Sequence, residues 1–454
     1  MNYQNAIQLL DSFKTINRRE YSDSANKNND SDNHFFKRTQ FLLDILHNPE
    51  KKIPHYLHVA GTSGKGSVCA YLSSIWQCAG RKTGLFLSPY ISDIRERWQI
   101  NNKPISKTEF IILVQEIKTA LETYIRTSPY DVPSLFEIYT VMALHYFARK
   151  KVDCAVLEVG MGGRIDSTNI IPRKDAAIIT DIGLDHTKHL GTTISQIAAE
   201  KAGIITTNAP VFTMSESSAV LKIIKKAADH KKAIVIHSHL SSAEKKSISI
   251  SEISTNFTYR GNNYEIKALG MHQARNAALA ITVAKHFGIN QTAIKTGLKK
   301  TVQPIRFEII QNNPHIILDG AHNPQKISAT IETIKKLRLV LGDKPIHLVM
   351  GFSGDKKTNI MIKKLLTLKP TSVACTKNIT NVFRKTLNLD AMQKIVKKYS
   401  PEIKTEIFLD PIEAVAWSKK QAETKGIILV TGSIYLSGEL RPTLIKNNNT
   451  KKIA

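Results

Sequence analysis

The chain has 454 residues and a formal net charge of +26, because it contains 64 Lys and Arg but only 38 Asp and Glu. At roughly 150 residues per domain, this length predicts two or three domains that can each bury a core. There is no run of about 18 apolar residues, and the N-terminus lacks the cationic-then-apolar order of a signal peptide. These features argue against a membrane-spanning or secreted protein and predict a cytoplasmic one.

The strong positive charge raises the question of nucleic-acid binding. Lysines are spread along the whole chain instead of forming one basic block, and no nucleic-acid motif accompanies them. A solvated basic surface is therefore the favoured interpretation, and its field would still attract anionic ligands. A P-loop ATPase that works on nucleic acid stays open as an alternative. The four cysteines form no C-x-x-C pair, which predicts reduced packing residues: Cys69, Cys78, Cys154 and Cys375.

The N-terminal region leads to a phosphate-binding pattern. Residues 17–34 are polar and predict an exposed loop, and residues 41–46 read as helical. Residues 56–60 predict a buried strand, and from Val68 apolar residues recur at helical spacing until Gly80. The sequence GTSGKGS at residues 61–67 lies between this strand and this helix.

This glycine-rich junction predicts a phosphate cradle. Glycines can turn tightly and let backbone N–H groups approach an anion, and a helix N-terminus adds unpaired donors and partial positive charge. Lys65 adds a full charge, and the Ser67 hydroxyl can reach a magnesium ion. The strict P-loop pattern places Lys and Ser or Thr side by side, whereas Gly66 separates them here. An ordinary strand-to-helix turn is the alternative interpretation.

Further strands are predicted at residues 83–87, 152–159 and 176–182, alternating with helical patterns. This alternation predicts a doubly wound α/β sheet, in which ligands gather at the carboxyl ends of strands. Ser88, Glu158 and His186 lie at or just past such ends. A buried carboxylate needs a partner, and for Glu158 either a magnesium ion or a structural ion pair would serve. Lys201, in the last turn of a predicted helix, is also explained by the helix dipole.

The C-terminal part shows a second α/β pattern. Short β-prone runs between about residues 235 and 270 predict hairpins attached to the first domain. Strands are then predicted at residues 315–318, 346–350, 372–375 and 427–430. Pro304 interrupts a helical pattern, so the domains are predicted at residues 1–302 and 303–454. Residues 445–454 are predicted to fray.

Several blocks together resemble the folylpolyglutamate synthase/dihydrofolate synthase family of the Mur ligase superfamily. The resemblance covers roughly residues 50–441. It implies a P-loop-type doubly wound ATPase domain followed by a smaller Rossmann-like α/β domain. Besides the GTSGKGS loop, the blocks are LFLSPYISDIRERWQINNKPIS (85–106), AVLEVGMGGRIDSTN (155–169), ITDIGLDH (179–186), EKAGI (200–204), GMHQARNAA (270–278), RFE (306–308), ILDGAHNP (317–324) and TGSIYLSGELR (431–441).

The resemblance also assigns site residues. ATP binding is assigned to Gly61, Thr62, Ser63, Gly64, Lys65, Gly66 and Ser67, with Asn276, Arg306 and Asp319, so that the nucleotide is held between the domains. Magnesium is assigned to Ser88, Glu158, His186 and, once carbamylated, Lys201; with Lys65, the last three form the catalytic set. The pteroate site is assigned to Ser134, Leu135, Phe136, Glu137, Ile165, Asp166 and Ser167.

The activity that follows from the resemblance is ATP-dependent ligation of L-glutamate to dihydropteroate or a folate through an acyl phosphate. The closest alternative is another Mur-type ligase with a different carboxylate substrate. A monomer without specific nucleic-acid or membrane partners is expected. The sequence departs from the family pattern at Ser63 (usually Asn), Tyr90 (usually His) and Ile305 (usually Gly), and the family's LGLER-type segment is only faintly matched by HFFKRTQ at residues 34–40.

Overall fold

The structure is a computed structural model that describes residues 1–13, 30–354, 357–380 and 386–450. Most of the loop predicted at residues 17–34 lies outside these ranges, but from Asp30 the chain is helical, so that part of the prediction was wrong. A helix also continues to Thr450, where fraying was predicted from residue 445, and residues 451–454 lie outside the described ranges. No helix in the described ranges is long and apolar enough to cross a membrane.

The elements up to residue 240 alternate between strands and helices. The helices are α1 (Tyr3–Ser12), α2 (Asp30–Ile45), α3 (Lys65–Cys78), α4 (Lys107–Thr127), α5 (Leu135–Arg149), α6 (Thr187–Leu190), α7 (Ile194–Ala202) and α8 (Ser218–His230), with short 3₁₀ helices at Pro49–Lys52, Ile94–Arg97 and Ser167–Ile170. The strands are β1 (His55–Ala60), β2 (Thr83–Phe86), β3 (Trp98–Ile100), β4 (Lys103–Pro104), β5 (Cys154–Glu158), β6 (Ala176–Ile179), β7 (Val211–Thr213) and β8 (Val235–His237).

From residue 241 the same alternation continues after a small sheet. The strands are β9 (Ser249–Ile250), β10 (Thr255–Tyr259), β11 (Asn262–Ile266), β12 (Glu308–Asn312), β13 (His315–Leu318), β14 (Ile346–Met350), β15 (Ser372–Cys375), β16 (Lys404–Ile407) and β17 (Ile427–Thr431). The helices are α9 (Ser242–Lys246), α10 (Met271–His286), α11 (Gln291–Lys300), α12 (Pro324–Leu341), α13 (Thr358–Leu366), α14 (Leu389–Tyr399), α15 (Pro411–Ala422) and α16 (Ile434–Thr450).

Contacts divide the chain into two compact units. The first unit comprises Met1–Tyr90, Ile94–Leu240 and Arg275–Lys300, and the second comprises Ile91–Asp93, Ser241–Ala274 and Thr301–Ala454. The hairpin strands were predicted to join the first domain, but residues 241–274 belong to the second unit. Leu269 is buried in the same apolar cluster as Phe307 and Ile334, which accounts for the difference. The boundary between residues 302 and 303 stays a prediction.

The first unit contains an eight-stranded sheet in the order β4-β3-β2-β5-β1-β6-β7-β8. The six strands from β2 to β8 in that order are parallel, and β3 and β4 pair antiparallel at one edge. The predicted doubly wound α/β fold is therefore confirmed. In the register, Val59 of β1 lies opposite Glu158 of β5, and Ala60 lies opposite Ile179 of β6. The loops that follow β1, β5 and β6 therefore leave the sheet side by side.

The second unit contains a six-stranded sheet in the order β12-β13-β17-β14-β15-β16 and the antiparallel sheet β11-β10-β9. In the larger sheet all neighbours are parallel except β12 and β13. The four strands predicted here are present as β13, β14, β15 and β17. The edge strands β12 and β16 were missed because half-buried or exposed positions break up their apolar pattern.

Candidate active site

The glycine-rich loop connects β1 to α3 and contains two glycines with positive φ. Gly61 has a φ of +147° and Gly64 a φ of +89°, a region in which a side chain is strained. Gly64 is the N-cap of α3, so the helix begins at Lys65, three residues earlier than its apolar pattern predicted. A Cβ on Gly64 would collide with the side-chain oxygen of Asn276. Asn276, predicted as an ATP contact, therefore lies directly against the loop.

Two amides of the loop are used to hold its shape. The backbone N–H groups of Thr62 and Ser63 both donate to the carbonyl of Asp181, at 2.8 and 3.3 Å. The Thr62 hydroxyl donates to the carbonyl of Gly183 at 3.0 Å and accepts from its N–H at 3.1 Å. The amides of the first turn of α3, from Lys65 to Ser67, have no acceptor within the helix and can serve an anion.

Lys65, Glu158 and Ser88 come together beside this loop. The Lys65 Nζ donates to the carbonyl of Gly61 at 3.2 Å and lies 4.0 Å from Glu158 Oε1. Glu158 is the last residue of β5 and is only 5% exposed. Its Oε2 accepts the backbone N–H of Ser88, which follows β2, at 3.0 Å. A Cβ on Gly66 would lie 3.4 Å from the same oxygen, so the carboxylate touches the start of α3.

This arrangement has the chemistry of a magnesium site. The described residues contain no group of three or more His, Cys, Asp or Glu placed to hold a metal ion. Magnesium, however, commonly takes only one or two protein ligands and completes its octahedron with waters and phosphate oxygens. A buried carboxylate next to a phosphate cradle fits that requirement, and Ser88, whose backbone N–H bonds that carboxylate, carries a hydroxyl that can serve as a second oxygen ligand.

His186 lies in the loop that leads from β6 to α6. It has a φ of +49° and an exposed side chain, and its backbone N–H donates to the Asp185 carboxylate at 3.0 Å. Because β6 neighbours β1, this loop leaves the sheet at the same edge as the glycine-rich loop. The structure thus places His186 on the predicted side of the sheet, and its role as a metal ligand stays a prediction.

Lys201 is buried at the end of α7, with 4% of its surface exposed. Burial, helped by the positive charge of Lys65, lowers the pKa of the Lys201 amine to about 7. Nearby carboxylates oppose this shift: Asp185, Asp166 and Glu200. A lysine that only complemented the helix dipole could remain in solvent, so burial points to a further role. The lowered pKa increases the fraction of neutral amine near neutral pH, and the neutral amine is the form that can react with carbon dioxide.

The first predicted pteroate segment is held by a buried ion pair. Ser134 is the N-cap of α5, and its hydroxyl and the Glu137 carboxylate form a capping box. Arg38 donates twice to Glu137, at 3.0 and 2.7 Å, and Thr39 donates to it at 3.1 Å. The Glu137 carboxylate is therefore occupied by protein groups. Sequence reasoning missed Arg38, although it lies in the faintly matched segment HFFKRTQ.

The second predicted pteroate segment contains a fully enclosed aspartate. The Asp166 carboxylate accepts from the backbone N–H groups of Met161 and Thr168 at 3.0 Å each, and from the Thr168 hydroxyl at 2.5 Å. Burial raises the pKa of Asp166, and these bonds oppose the shift. The Ser167 hydroxyl bonds the hydroxyl of Thr140 at 2.7 Å. This bond connects the second predicted pteroate segment to α5, the helix whose first turn contains residues of the first segment.

The remaining predicted ATP residues lie in the second unit. The Asp319 carboxylate is buried and accepts from the Thr330 hydroxyl at 2.7 Å and from the backbone N–H groups of Ala321 and Phe307 at 3.0 and 3.1 Å. Burial raises the pKa of Asp319, while the Arg306 charge acts in the opposite direction. Asp319 therefore organises its own turn, and Arg306 lies close enough to influence its ionisation.

Arg306 is flanked by two strained residues. Ile305 and Phe307 have φ values of +51° and +56°, in the left-handed region that a β-branched or bulky residue rarely enters. The Ile305 N–H donates to the Glu308 carboxylate at 2.9 Å, and Arg441 holds the same carboxylate with two bonds at 2.8 and 2.7 Å. A left-handed backbone of this kind is the conformation that glycine adopts without strain, which fits the glycine expected here from the family pattern.

Comparison with protein-family models identifies both halves of the chain. Residues 59–284 match the Mur ligase middle domain, and residues 305–434 match the glutamate ligase domain of Mur ligases. A dihydrofolate synthase/folylpolyglutamate synthase of Bacillus subtilis is 34% identical over 90% of this chain and 94% of the relative.

Solved structures agree with these matches. The folylpolyglutamate synthase of Thermotoga maritima has a TM-score of 0.81 and 29% identity, covering 98% of each chain. The folylpolyglutamate synthase of Mycobacterium tuberculosis complexed with ADP has a TM-score of 0.83 and 26% identity, covering 97% of this chain and 98% of the other.

Proposed function

The chain belongs to the folylpolyglutamate synthase/dihydrofolate synthase family of Mur ligases and is an ATP-dependent glutamate ligase, and we propose a role in that reaction for each of its site residues. ATP binds at the glycine-rich loop, and a pteroate or folate carboxylate is joined to the amine of L-glutamate. The observation that carries this proposal is the convergence of Lys65, Glu158 and Ser88 at the start of α3.

The chemistry proceeds in two steps. The substrate carboxylate attacks the γ-phosphorus of ATP, and the bond from that phosphorus to the bridging oxygen breaks. ADP departs, and the substrate becomes an acyl phosphate. The glutamate nitrogen then attacks the acyl carbon, loses a proton and expels phosphate, which leaves an amide. Lys65 and the first-turn amides of α3 stabilise the negative charge that develops during phosphoryl transfer. The folylpolyglutamate synthase of M. tuberculosis was solved with ADP, which supports nucleotide binding by this chain.

Magnesium is the metal that the site fits. Glu158, Ser88 and His186 would hold it, and a carbamylated Lys201 would help to hold a second ion. When bound, magnesium neutralises phosphate charge and orients the transferring group. The Glu158 carboxylate, which is buried and bonded to the Ser88 amide, is already oriented for this task. The Lys201 amine, with a pKa near 7, supplies the neutral nucleophile that carbamylation requires.

The folate substrate is assigned to the segments Ser134–Glu137 and Ile165–Ser167. The buried partners that fix Glu137 and Asp166 make these segments a rigid wall. Phe136 adds an aromatic surface that lies directly against Gly160, where a Cβ would collide with the ring. Arg306, Asp319 and Asn276 are proposed as further ATP contacts. A cytoplasmic location and a monomeric state remain predictions.

One assay tests the substrate assignment. ADP release is measured with ATP, magnesium and L-glutamate, and dihydropteroate and tetrahydrofolate are offered separately. Glutamate-dependent release with dihydropteroate alone would define a dihydrofolate synthase, and release with both would define a bifunctional enzyme. Release with neither substrate would overturn the pteroate assignment and leave a Mur-type ligase for a different carboxylate.

A further inference from the structure

Lys174 is a buried lysine that the proposed reaction does not use. Its side chain is 7% exposed, and its Nζ donates to the carbonyl of Ile204 at 2.7 Å and to the side-chain oxygen of Asn169 at 2.5 Å. Burial lowers the pKa of Lys174 to about 7. Burying an ammonium group is costly unless hydrogen bonds or a paired charge compensate for its lost hydration. The partners of Lys174 show which parts of the fold its bonds connect.

Asn169 makes a second connection to the same place. Its side-chain Nδ2 donates to the carbonyls of Arg164 and Gly203 at 3.0 and 3.2 Å. Gly203 and Ile204 directly follow α7, which ends at Ala202. The last carbonyls of a helix have no partner within the helix, and a cationic group near them is favourable. Lys174 and Asn169 therefore bond the chain at the end of the helix that carries Lys201.

The same segment approaches α7 through its backbone. The Arg164 N–H donates to the carbonyl of Glu200 at 2.9 Å, and the Arg164 guanidinium bonds the Glu200 carboxylate at 3.0 and 2.9 Å. A Cβ on Gly163 would lie 2.8 Å from the Glu200 carbonyl and 3.1 Å from that of Lys201. Segment 163–174 and the end of α7 are thus packed without room for a side chain between them.

We propose that Lys174 and Asn169 are positioning residues that fix the proposed folate residues Ile165–Ser167 relative to Lys201, so that folate and nucleotide strengthen each other's binding. This inference rests on the proposed function. Lys174 and Asn169 both bond carbonyls of the chain just after Lys201. Asn169 also follows closely after the segment that contains Asp166. If the segment shifts when folate binds, these bonds transmit the shift to the phosphate and metal site. Such coupling is reciprocal between the two ligands.

A purely architectural role for Lys174 makes a different prediction. In that case its removal would lower thermal stability and leave the mutual effect of the two ligands unchanged. The control is Lys397, an exposed lysine that donates to the carbonyls of Pro401 and Ile403 at 3.2 and 2.7 Å after the end of another helix, α14. Lys397 makes the same kind of bond in the second unit and touches none of the proposed site residues named above.

The experiment measures coupling directly. Calorimetry gives the Kd of a non-hydrolysable ATP analogue, with magnesium, in the absence and presence of saturating dihydropteroate or tetrahydrofolate, whichever supports turnover. The ratio of the two Kd values is the coupling factor. We expect about fivefold or more in the wild type and in Lys397→Met, the lower end of typical coupling. We expect it to fall to within about twofold of unity in Lys174→Met and in Asn169→Ala.

Additivity provides the second readout. If Lys174 and Asn169 act as one connection, the double variant should lose no more coupling than either single variant. The milder Asn169→Ala variant keeps the test available if Lys174→Met does not fold. A wild-type coupling factor of one, or variants that keep the wild-type factor, would overturn the inference. Failure of the wild type to release ADP with either folate substrate would instead overturn the proposed function.

Discussion

The ammonium nitrogen of Lys65 lies 4.0 Å from the Glu158 carboxylate, and the chain reaches these two residues from neighbouring strands of the same sheet. Lys65 follows β1 by the length of the glycine-rich loop, and Glu158 ends the neighbouring strand β5. The pair therefore joins the proposed phosphate site to the proposed metal site. Charge on one residue orients the other before any ligand arrives.

Substituting either member of this pair should remove turnover and leave the protein folded. Lys65→Ala removes a charge that stabilises the transferring phosphate, and Glu158→Ala removes the proposed metal carboxylate. We expect kcat to fall at least about 100-fold in each, the scale of losing one preorganised electrostatic contact. The control is the exposed helical pair Lys118–Glu122, whose alanine variants should keep full activity. Wild-type ADP release by a folded Lys65→Ala or Glu158→Ala protein would contradict the site.

The low pKa of Lys201 predicts a pH-dependent stability. A lysine with a folded pKa near 7 and an ordinary value near 10.5 binds fewer protons folded than unfolded between those values. The loss of folding stability caused by burying the charged amine is fully present below pH 7 and disappears as the pH rises toward 10. Lys201→Met should therefore raise the Tm more at pH 6 than at pH 9.5, while abolishing ligation. The same Tm gain at both pH values would show that the amine is not shifted.

Left-handed backbone at Ile305 predicts an unusual order of stability. Replacing its buried side chain opens a cavity that costs roughly 2–5 kcal/mol. A left-handed conformation costs a residue with a Cβ about 1–2 kcal/mol, and glycine avoids that cost. Ile305→Gly should therefore be more stable than Ile305→Ala by about 1 kcal/mol.

The control for this prediction is Ile316, a buried residue within strand β13. Glycine weakens a strand interior, so at Ile316 the alanine variant should be the more stable one. Urea unfolding of the four variants gives both orders. The same order at both positions would contradict the left-handed assignment of Ile305.

The Arg38–Glu137 ion pair predicts that the stability of the fold depends strongly on both side chains. Arg38 is 1% exposed, so Arg38→Met leaves the buried Glu137 charge without its main partner and should cost about 3–5 kcal/mol. The double variant Arg38→Met/Glu137→Gln should recover a large part of this loss, since no charge then remains buried. Because Ser134 and Glu137 cap the same helix end, the surviving protein should also show a raised KM for the folate substrate. Independent, additive losses of stability in the single and double variants would argue against the pair.

Long apolar strands and the phosphate loop could be predicted from the sequence because their signals are local. Strands β1, β5, β13 and β17 are mostly apolar and almost entirely buried, and the glycine pattern marks the turn before α3. The early start of α3 was hidden, since Gly66 and Ser67 are weak helix formers. Edge strands were missed for lack of apolar alternation.

Contacts between distant residues could not be predicted in the same way. Arg38 and Glu137 are 99 positions apart, and nothing in the local sequence around Arg38 indicates its partner. The bond between Thr140 and Ser167 connects α5 to the second segment assigned to the pteroate site, yet the local sequence around neither residue predicts that bond. Such pairs are fixed only when the sheet brings α2, α5 and the loop after β5 together.

The carbonyl of Asp181, which accepts the amides of Thr62 and Ser63, has a consequence for how the nucleotide is received. A loop that were mobile before binding would lose conformational freedom on contact with the phosphates, and that loss would subtract from affinity. Here the loop is ordered by folding, through bonds to the segment after β6. The entropy of ordering the cradle is thus lost once, when the chain folds, and the contacts with triphosphate can be expressed as affinity and speed of capture.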